Sequence, residues 1–209
     1  MILELAPAPG AGRPMEMMGA MENTTDVRDP TSRISLAEFF ERLNGYSDRV
    51  PLPQLEELLR RLDVKLADVR PYARFGDEHY QRNLFRSGTA YHALVLCWKN
   101  GQRSPIHDHR GSSCGVRVLE GEMTETLFEF SANGLIYPTT TSVLKEGGVC
   151  GSQDADIHQV SNLQSDEKPL ITLHIYSPPL LVMGTYSLTD DVVGEFADPV
   201  FEFCHGDGI

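Results

Sequence analysis

Positive charge is scarce in this sequence. Lysine and arginine together number 18 against 30 aspartates and glutamates, which gives a formal net charge of −12. A field of this sign repels phosphate backbones and anionic membranes, so a nucleic-acid or lipid partner would need a local basic patch. Only short basic pairs such as Arg60-Arg61 are present. We therefore expect no nucleic acid and no membrane as partners, and an anionic substrate would have to meet a specific local cation.

Long apolar runs are also missing. No segment approaches the roughly 20 apolar residues needed to cross a bilayer. The first residues, MILELAPAPGAGRP, lack the basic start and unbroken apolar stretch of a secretion signal. Without an export signal, we expect the cysteines to be free thiols in a reducing, cytoplasmic environment. They are Cys97, Cys114, Cys150 and Cys204.

The chain is long enough for one domain with a sizeable buried core, since it has 209 residues. Residues 1–33 are rich in methionine, proline, glycine and alanine without periodicity, which is typical of a flexible arm. Residues 34–209 are expected to form a single domain, and we expect the protein to be a monomer.

Two helices are predicted within residues 34–70. Ser35 and Glu38 form a capping-box pattern ahead of an apolar repeat that stops at Gly45. A second apolar repeat at helical spacing follows Pro53. Both repeats indicate helices that pack one apolar face against the rest of the domain.

Residues 71–209 have a β-like texture. Short runs such as AYHALVLCW, TETLFEF and LITLHIYS are separated by Gly, Asn, Asp and Pro, without intervening helical patterns. Many short strands at this spacing predict an all-β fold, an antiparallel barrel or sandwich behind the N-terminal helices. The final stretch, residues 190–209, fits either a tail or a terminal helix.

Two histidines of the sequence stand two residues apart in SPIHDHRG, at His107 and His109. On a strand, side chains at this spacing share a face and lie about 7 Å apart, so two imidazoles can converge on one ion. Such a pair alone does not identify a metal site, because a histidine-rich strand also produces it. We assign no chemistry to His79, His92 or His205.

The surroundings of this pair resemble the first cupin motif, in which a glycine, an HxH pair, a glutamate and a second glycine follow at set spacings. Gly101 and Gly121 occupy the glycine positions around His107 and His109, and Cys114 occupies the glutamate position. The pattern therefore predicts a cupin metal site without its usual carboxylate ligand.

A third imidazole is available at His158, which with Asn162 keeps the end of the second cupin motif. Three neutral imidazoles leave the 2+ charge of a metal ion uncompensated, unlike two histidines and a carboxylate. That charge favours an anionic substrate ligand such as a thiolate. An octahedral ion would keep three positions for a bidentate substrate and O2.

The sequence closely resembles the type I cysteine dioxygenase family over about residues 72–180. The segments that carry the resemblance are YQRNLFRSG, LCWKNGQRSPIHDHRGSSCGVRVLEGEMTETLFEF and DIHQVSNLQSDEKPLITLHIYSPP. The resemblance implies a cupin fold, that is, a double-stranded β-helix, with mononuclear non-haem Fe(2+). It also implies conversion of L-cysteine and O2 to cysteine sulfinate, a step of cysteine catabolism.

The same resemblance implies roles for single residues. His107, His109 and His158 take the positions of the metal ligands. Arg82 takes the position of the arginine that binds the substrate carboxylate, and a guanidinium fork suits that task. Tyr80 shares its strand face by parity and is a candidate wall of the pocket.

The motif TLHIYSPP supplies the remaining candidates. Tyr176 takes the catalytic tyrosine position, and His174 is expected to hydrogen-bond it from behind, together with Thr172. Cys114 takes the position of the cysteine that forms a thioether with this tyrosine in animal members of the family. The turn RGSS resets strand parity before Cys114, so the sequence leaves the direction of its sulfur open. The Ser177-Pro178 bond is expected to be cis, as is common in the family.

Two other functions remain open from the sequence. One is a dioxygenase for another small thiol, such as 3-mercaptopropionate, although relatives of that kind often carry glutamine at the position of Arg82. The other is a non-catalytic cupin that binds a metal or ligand, against which Arg82, Cys114 and Tyr176 argue together.

Overall fold

The computed structural model describes residues 32–197 and 199–201. The predicted arm over residues 1–33 lies almost wholly outside the described residues, as do Cys204 and His205. Among the described residues, no helix is long and apolar enough to cross a membrane.

The helices lie near the N-terminal end of the described chain, as predicted. Ser35 caps the first of them, because its hydroxyl accepts a hydrogen bond from the backbone N–H of Glu38 at 3.2 Å. The helices are α1 (Leu36–Asn44), α2 (Leu52–Arg61), α3 (Leu66–Val69) and a short 3-10 helix at Arg70–Tyr72.

The rest of the described chain is built from strands, which confirms the all-β prediction. They are β1 (Ile34–Ser35), β2 (Leu62–Asp63), β3 (Gln81–Ser87), β4 (His92–Trp98), β5 (Ile106–His107), β6 (Ser113–Glu120), β7 (Glu122–Phe130), β8 (Ile136–Lys145), β9 (Val149–Gln153), β10 (Ile157–Ser161), β11 (Leu170–Ser177), β12 (Met183–Tyr186), β13 (Gly194–Phe196) and β14 (Val200–Phe201). The last two correct the alternative of a tail or terminal helix over residues 190–209, since both pair with strands of the barrel.

Twelve of these strands form two six-stranded sheets, with the orders β13-β12-β5-β10-β7-β8 and β14-β3-β4-β11-β6-β9. Neighbouring strands pair antiparallel, apart from the parallel pair β14–β3. The remaining two, β1 and β2, form a short parallel pair beside the helices. This is the cupin architecture predicted from the sequence.

Strand β4 shows where the core lies, because both of its faces are buried. Ala93, Val95 and Cys97 belong to the apolar cluster that contains the helix side chains, while Leu94 and Leu96 alternate with them into a second cluster. The second cluster also draws side chains from the facing sheet, so it fills the interior of the barrel.

The two glycines of the predicted cupin frame both adopt the left-handed backbone conformation. Gly101 has φ +82° and Gly121 has φ +84°. A side chain at Gly121 would also bring its Cβ to 2.5 Å from the carbonyl oxygen of Pro169. Glycine is therefore required for these turns, which set the spacing of the strands between them.

Candidate metal centre

Three histidines meet inside the barrel. His107 ends β5, and its Cα is the direct partner of His158 in the antiparallel β5–β10 pair. His109 follows just beyond β5 and is fully buried. The coordinating atoms that the three side chains offer all lie within 4.8 Å of one another. The described part of the chain thus brings the three predicted ligands together.

The outward nitrogens of two of these rings are already engaged. Nδ1 of His107 donates to the carbonyl oxygen of Pro105 at 2.9 Å. Nδ1 of His158 donates to the Glu125 carboxylate at 2.8 Å. Both rings therefore turn Nε2 towards the centre of the cluster as a lone-pair donor.

His109 supplies an independent test of whether a metal fits. Neither of its ring nitrogens has a hydrogen-bond partner among the described residues, although the ring is completely buried. Buried polar atoms without a partner are rare in native proteins and call for an explanation. A metal ion shared with His107 and His158 accounts for one of these nitrogens, so the residues fit the ion that the sequence predicts.

The electrostatics of the site keep His107 and His109 neutral. Burial, with a smaller contribution from the neighbouring His158, lowers the pKa of His107 to about 3. Burial also holds the pKa of His109 well below its usual range. Neutral imidazole is the form that binds metal ions.

Arg82 lies on β3 with its side chain inside the barrel and 1% exposed. Its guanidinium carbon is 5.2 Å from the centre of the Tyr176 ring, and one terminal nitrogen donates to the carbonyl oxygen of Leu180 at 3.3 Å. The Tyr176 ring in turn lies 6.3 Å from the ring of His109, centre to centre. A buried cation therefore shares the interior with the three histidines.

A series of hydrogen bonds supports Tyr176 from behind. Its hydroxyl is 3.2 Å from Nδ1 of His174, whose Nε2 is 2.9 Å from the hydroxyl of Thr172. That hydroxyl also accepts a hydrogen bond from the indole N–H of Trp98 at 3.0 Å. The series connects the phenol to β4 and restricts where its oxygen can lie.

Cys114 points into the interior, which the sequence left open. It lies on β6 as the direct partner of Tyr176 on β11, and both side chains belong to the interior cluster. Its sulfur is 4.0 Å from Nδ1 of His174. Burial raises the pKa of the thiol, so Cys114 is a neutral thiol at physiological pH.

Tyr80 lies just before the strand on which the sequence placed it. Parity placed it on a strand with Arg82, but β3 begins one residue later, at Gln81. The Tyr80 ring instead stacks on Trp98, with ring centres 4.1 Å apart and planes inclined by 13°. It borders the interior cluster from the loop that enters β3.

A solved structure from Klebsiella pneumoniae, a protein with a double-stranded β-helix domain, is similar over 53% of this chain and 81% of that chain, with 18% identity and a TM-score of 0.44. Among curated proteins, cysteine dioxygenase type 1 of Danio rerio is 32% identical over 167 residues, covering 78% of this chain and 82% of the relative. Cysteine dioxygenase type 1 of Homo sapiens is 30% identical over 160 residues, with 74% and 78% covered. A family model described as cysteine dioxygenase type I matches residues 25–189. The chain belongs to this family.

In this type I cysteine dioxygenase family member, two buried carboxylates near the histidines were missed by sequence reasoning. Glu125 on β7 contacts His158, a partner 33 residues away that no local pattern reveals. Asp108 stands between two ligand candidates, and its carboxylate accepts hydrogen bonds from the Gly184 N–H at 2.8 Å and from the Tyr186 hydroxyl at 2.7 Å. Its position inside HDH was the one available signal.

The backbone around His109 is held from the helical side of the domain. The carbonyl oxygen of Asp154 accepts hydrogen bonds from the N–H groups of His109 and Arg110, at 2.9 and 3.0 Å. The carboxylate of Asp154 receives two guanidinium N–H groups of Arg49, at 2.6 and 3.0 Å. The turn between α1 and α2 thus contacts the segment that carries a ligand candidate.

Proposed function

We propose that this protein is a thiol dioxygenase that converts L-cysteine and O2 to cysteine sulfinate at a mononuclear Fe(II) centre held by three histidines. The observation that carries the proposal is the buried cluster of His107, His109 and His158, with coordinating atoms within 4.8 Å of one another. When bound there, Fe(II) supplies a redox-active centre at which a coordinated thiol is acidified and reacts with O2.

Arg82 is proposed to bind the carboxylate of cysteine. A guanidinium presents a planar fork of donors that matches a carboxylate, and the interaction is strengthened where water is excluded. The −12 net charge repels an anion elsewhere on the molecule, so a buried arginine is the local cation that an anionic substrate requires. Tyr80 is proposed to close the pocket beside it, supported by its stacking on Trp98.

Tyr176 is proposed to orient the reacting groups with its hydroxyl. The Tyr176 ring is near both Arg82 and His109, so its hydroxyl is proposed to hydrogen-bond a molecule held by both. His174 positions this hydroxyl and provides a nitrogen with which its proton can be shared. We also propose that Cys114 forms a thioether with Tyr176, since the two are direct cross-strand partners.

We further propose that residues 34–209 act as one domain and that the protein is a cytoplasmic monomer. The three described cysteines, Cys97, Cys114 and Cys150, are free thiols, which is typical of a reducing compartment. The helices share an apolar cluster with β4 and β11, which supports a single domain.

Product analysis with labelled oxygen tests this function. The protein is loaded with Fe(II) without oxygen, then given L-cysteine and 18O2, and the product is analysed by mass spectrometry. We expect cysteine sulfinate that carries both labelled atoms. His109→Gln should abolish the product, whereas His79→Gln, a change at an exposed histidine, should leave it unchanged. If the iron-loaded protein consumes oxygen with cysteine no faster than the same concentration of free iron does, the activity is refuted.

A further inference from the structure

Glu125 makes the most direct contact between a buried carboxylate and the histidine cluster. It lies on β7 opposite Val160 of β10, two residues along from His158, so its side chain shares the inward face with that ligand. One oxygen of its carboxylate accepts a hydrogen bond from Nδ1 of His158 at 2.8 Å. Glu125 is 7% exposed.

The three histidines differ in what stands behind them. His158 is backed by this carboxylate, His107 by the neutral carbonyl of Pro105, and His109 by no hydrogen-bond partner within the described chain. Ser152 also approaches Nδ1 of His158, but at 3.4 Å and without charge. One histidine of the set therefore hydrogen-bonds an anion. A carboxylate that accepts the Nδ1–H of an imidazole makes the other ring nitrogen a stronger ligand for a metal ion.

The contact between Glu125 and His158 matters because the site otherwise carries an excess of positive charge. Cys114 stands where the cupin pattern has a ligand glutamate, so three neutral ligands would surround a 2+ ion, and the buried Arg82 adds positive charge to the same interior. Among the described residues, the buried carboxylates are Asp108 and Glu125. Asp108 is engaged by Gly184 and Tyr186, away from the ligand rings.

We propose that Glu125 is the positioning residue of the metal centre: it holds the Nδ1–H tautomer of His158, so that Nε2 faces the ion, and supplies through this ring the negative charge that the ligand set lacks. The inference rests on the proposed function only in taking the three histidines to bind a metal. It assigns to β7 the compensation that a ligand carboxylate provides in other cupins.

The matched pair Glu125→Gln and Glu122→Gln tests this role. Glutamine keeps the size and the accepting oxygen of the side chain but removes the charge, and Glu122 is a half-exposed glutamate on the same strand, near Lys145. The Fe(II) dissociation constant and the Fe(III)/Fe(II) midpoint potential are measured without cysteine. We expect Glu125→Gln to weaken Fe(II) binding about 10–100-fold. It should also raise the potential, because Fe(III) loses more than Fe(II) from the missing anion. Glu122→Gln should match the wild type.

Two results would overturn the proposal. If Glu125→Gln keeps the Fe(II) affinity and the midpoint potential of the wild type, Glu125 has no role at the metal centre. If the variant binds Fe(II) more weakly but keeps the potential, Glu125 only contributes to packing. If the variant does not fold, the zinc-loaded wild type decides by nitrogen NMR. Coordination through Nε2 of His158, with a strongly downfield Nδ1 proton, supports the role, and coordination through Nδ1 contradicts it.

These readouts separate the inference from the proposed function. A wild-type protein that binds iron and shows the Glu125→Gln effects, yet does not oxidise cysteine, would refute the dioxygenase and leave the role of Glu125 standing. A wild-type protein that binds neither iron nor zinc at these histidines would refute both.

Discussion

Cys114 and Tyr176 are direct partners in the antiparallel β6–β11 pair, and both side chains point into the barrel interior. Side chains of direct cross-strand partners are close neighbours on one face of a sheet. The same register brings both residues to His174, which contacts the Cys114 sulfur and the Tyr176 hydroxyl through one nitrogen.

This pairing predicts a thioether between the two side chains after iron loading and turnover with cysteine and O2. Peptide mapping by mass spectrometry should reveal a joined peptide lighter than its two parts by two hydrogen atoms. Cys114→Ser should abolish this peptide, and Cys97→Ser, at a buried cysteine of the helix-side cluster, should retain it. Recovery of Cys114 and Tyr176 only on separate peptides would show that the bond does not form.

Arg82→Ala should lower kcat/KM for cysteine on the order of 100-fold, since truncating one partner of a buried charge pair costs about 2–5 kcal/mol. Arg86→Ala serves as the control, because Arg86 lies on the same strand with an exposed side chain over Phe40. Steady-state oxygen consumption with cysteine and with a thiol that lacks a carboxylate measures the effect. The second thiol should be affected far less, and an equal loss for both would contradict carboxylate binding.

Arg82 also bears on whether the substrate is L-cysteine or 3-mercaptopropionate, since relatives that oxidise the latter often carry glutamine at this position. We expect the wild type to have a higher kcat/KM for L-cysteine than for 3-mercaptopropionate. Competition between the two thiols, followed by product analysis, compares them directly. A preference for 3-mercaptopropionate would assign the protein to the other thiol while leaving the metal site unchanged.

Tyr176→Phe removes the hydroxyl that contacts His174 and leaves the ring in place. We expect kcat for cysteine to fall on the order of 100-fold, as when one positioned hydrogen-bonding group is removed from an active site. The Fe(II) dissociation constant should be unchanged, because the phenol is not among the coordinating groups. Tyr137→Phe, at an exposed tyrosine on β8, should retain wild-type kcat. A normal kcat in Tyr176→Phe would exclude a catalytic role for the hydroxyl.

Acid should destabilise the metal-free protein through its buried histidines. The pKa of His107 falls from the ordinary 6.5 to about 3 on folding, chiefly through burial, so between these values the unfolded chain binds a proton that the folded state does not. The contribution of His107 to the free energy of unfolding is therefore complete above about pH 6.5. It is lost as the pH falls towards 3, at up to about 1.4 kcal/mol per pH unit. Urea unfolding across this range measures the slope. His107→Gln should flatten it and His79→Gln should not; identical slopes would contradict the assignment.

Much of the fold was readable from local patterns. The capping residues Ser35 and Glu38 and the leucine spacing of α2 marked the helices, and the apolar run of β4 marked a strand. Only the structure shows that both faces of this strand are buried. The strand Gly194–Phe196 was not predicted, because its pairing with Met183–Tyr186 is decided by tertiary contact and its own sequence carries little apolar alternation.

The site residues likewise fall into those that local sequence reveals and those that only tertiary contacts reveal. His107 and His109 were found from their spacing, although β5 ends at His107 and His109 lies just beyond it. His158 was found through the remnant of a motif. The direction of Cys114 could not be derived, because a turn of irregular geometry precedes it. Glu125 was missed because its contact with His158 exists only once β7 and β10 pair.

The Arg49–Asp154 ion pair makes the N-terminal helical region part of the smallest fragment that can bind the metal. A fragment that starts at residue 71 would keep all the ligand histidines but lose the guanidinium that fixes Asp154, whose carbonyl anchors the backbone of His109. Coordination chemistry in this fold therefore depends on an element that contributes no ligand, and removing the helices should weaken ion binding as well as expose the apolar cluster that they share with β4 and β11.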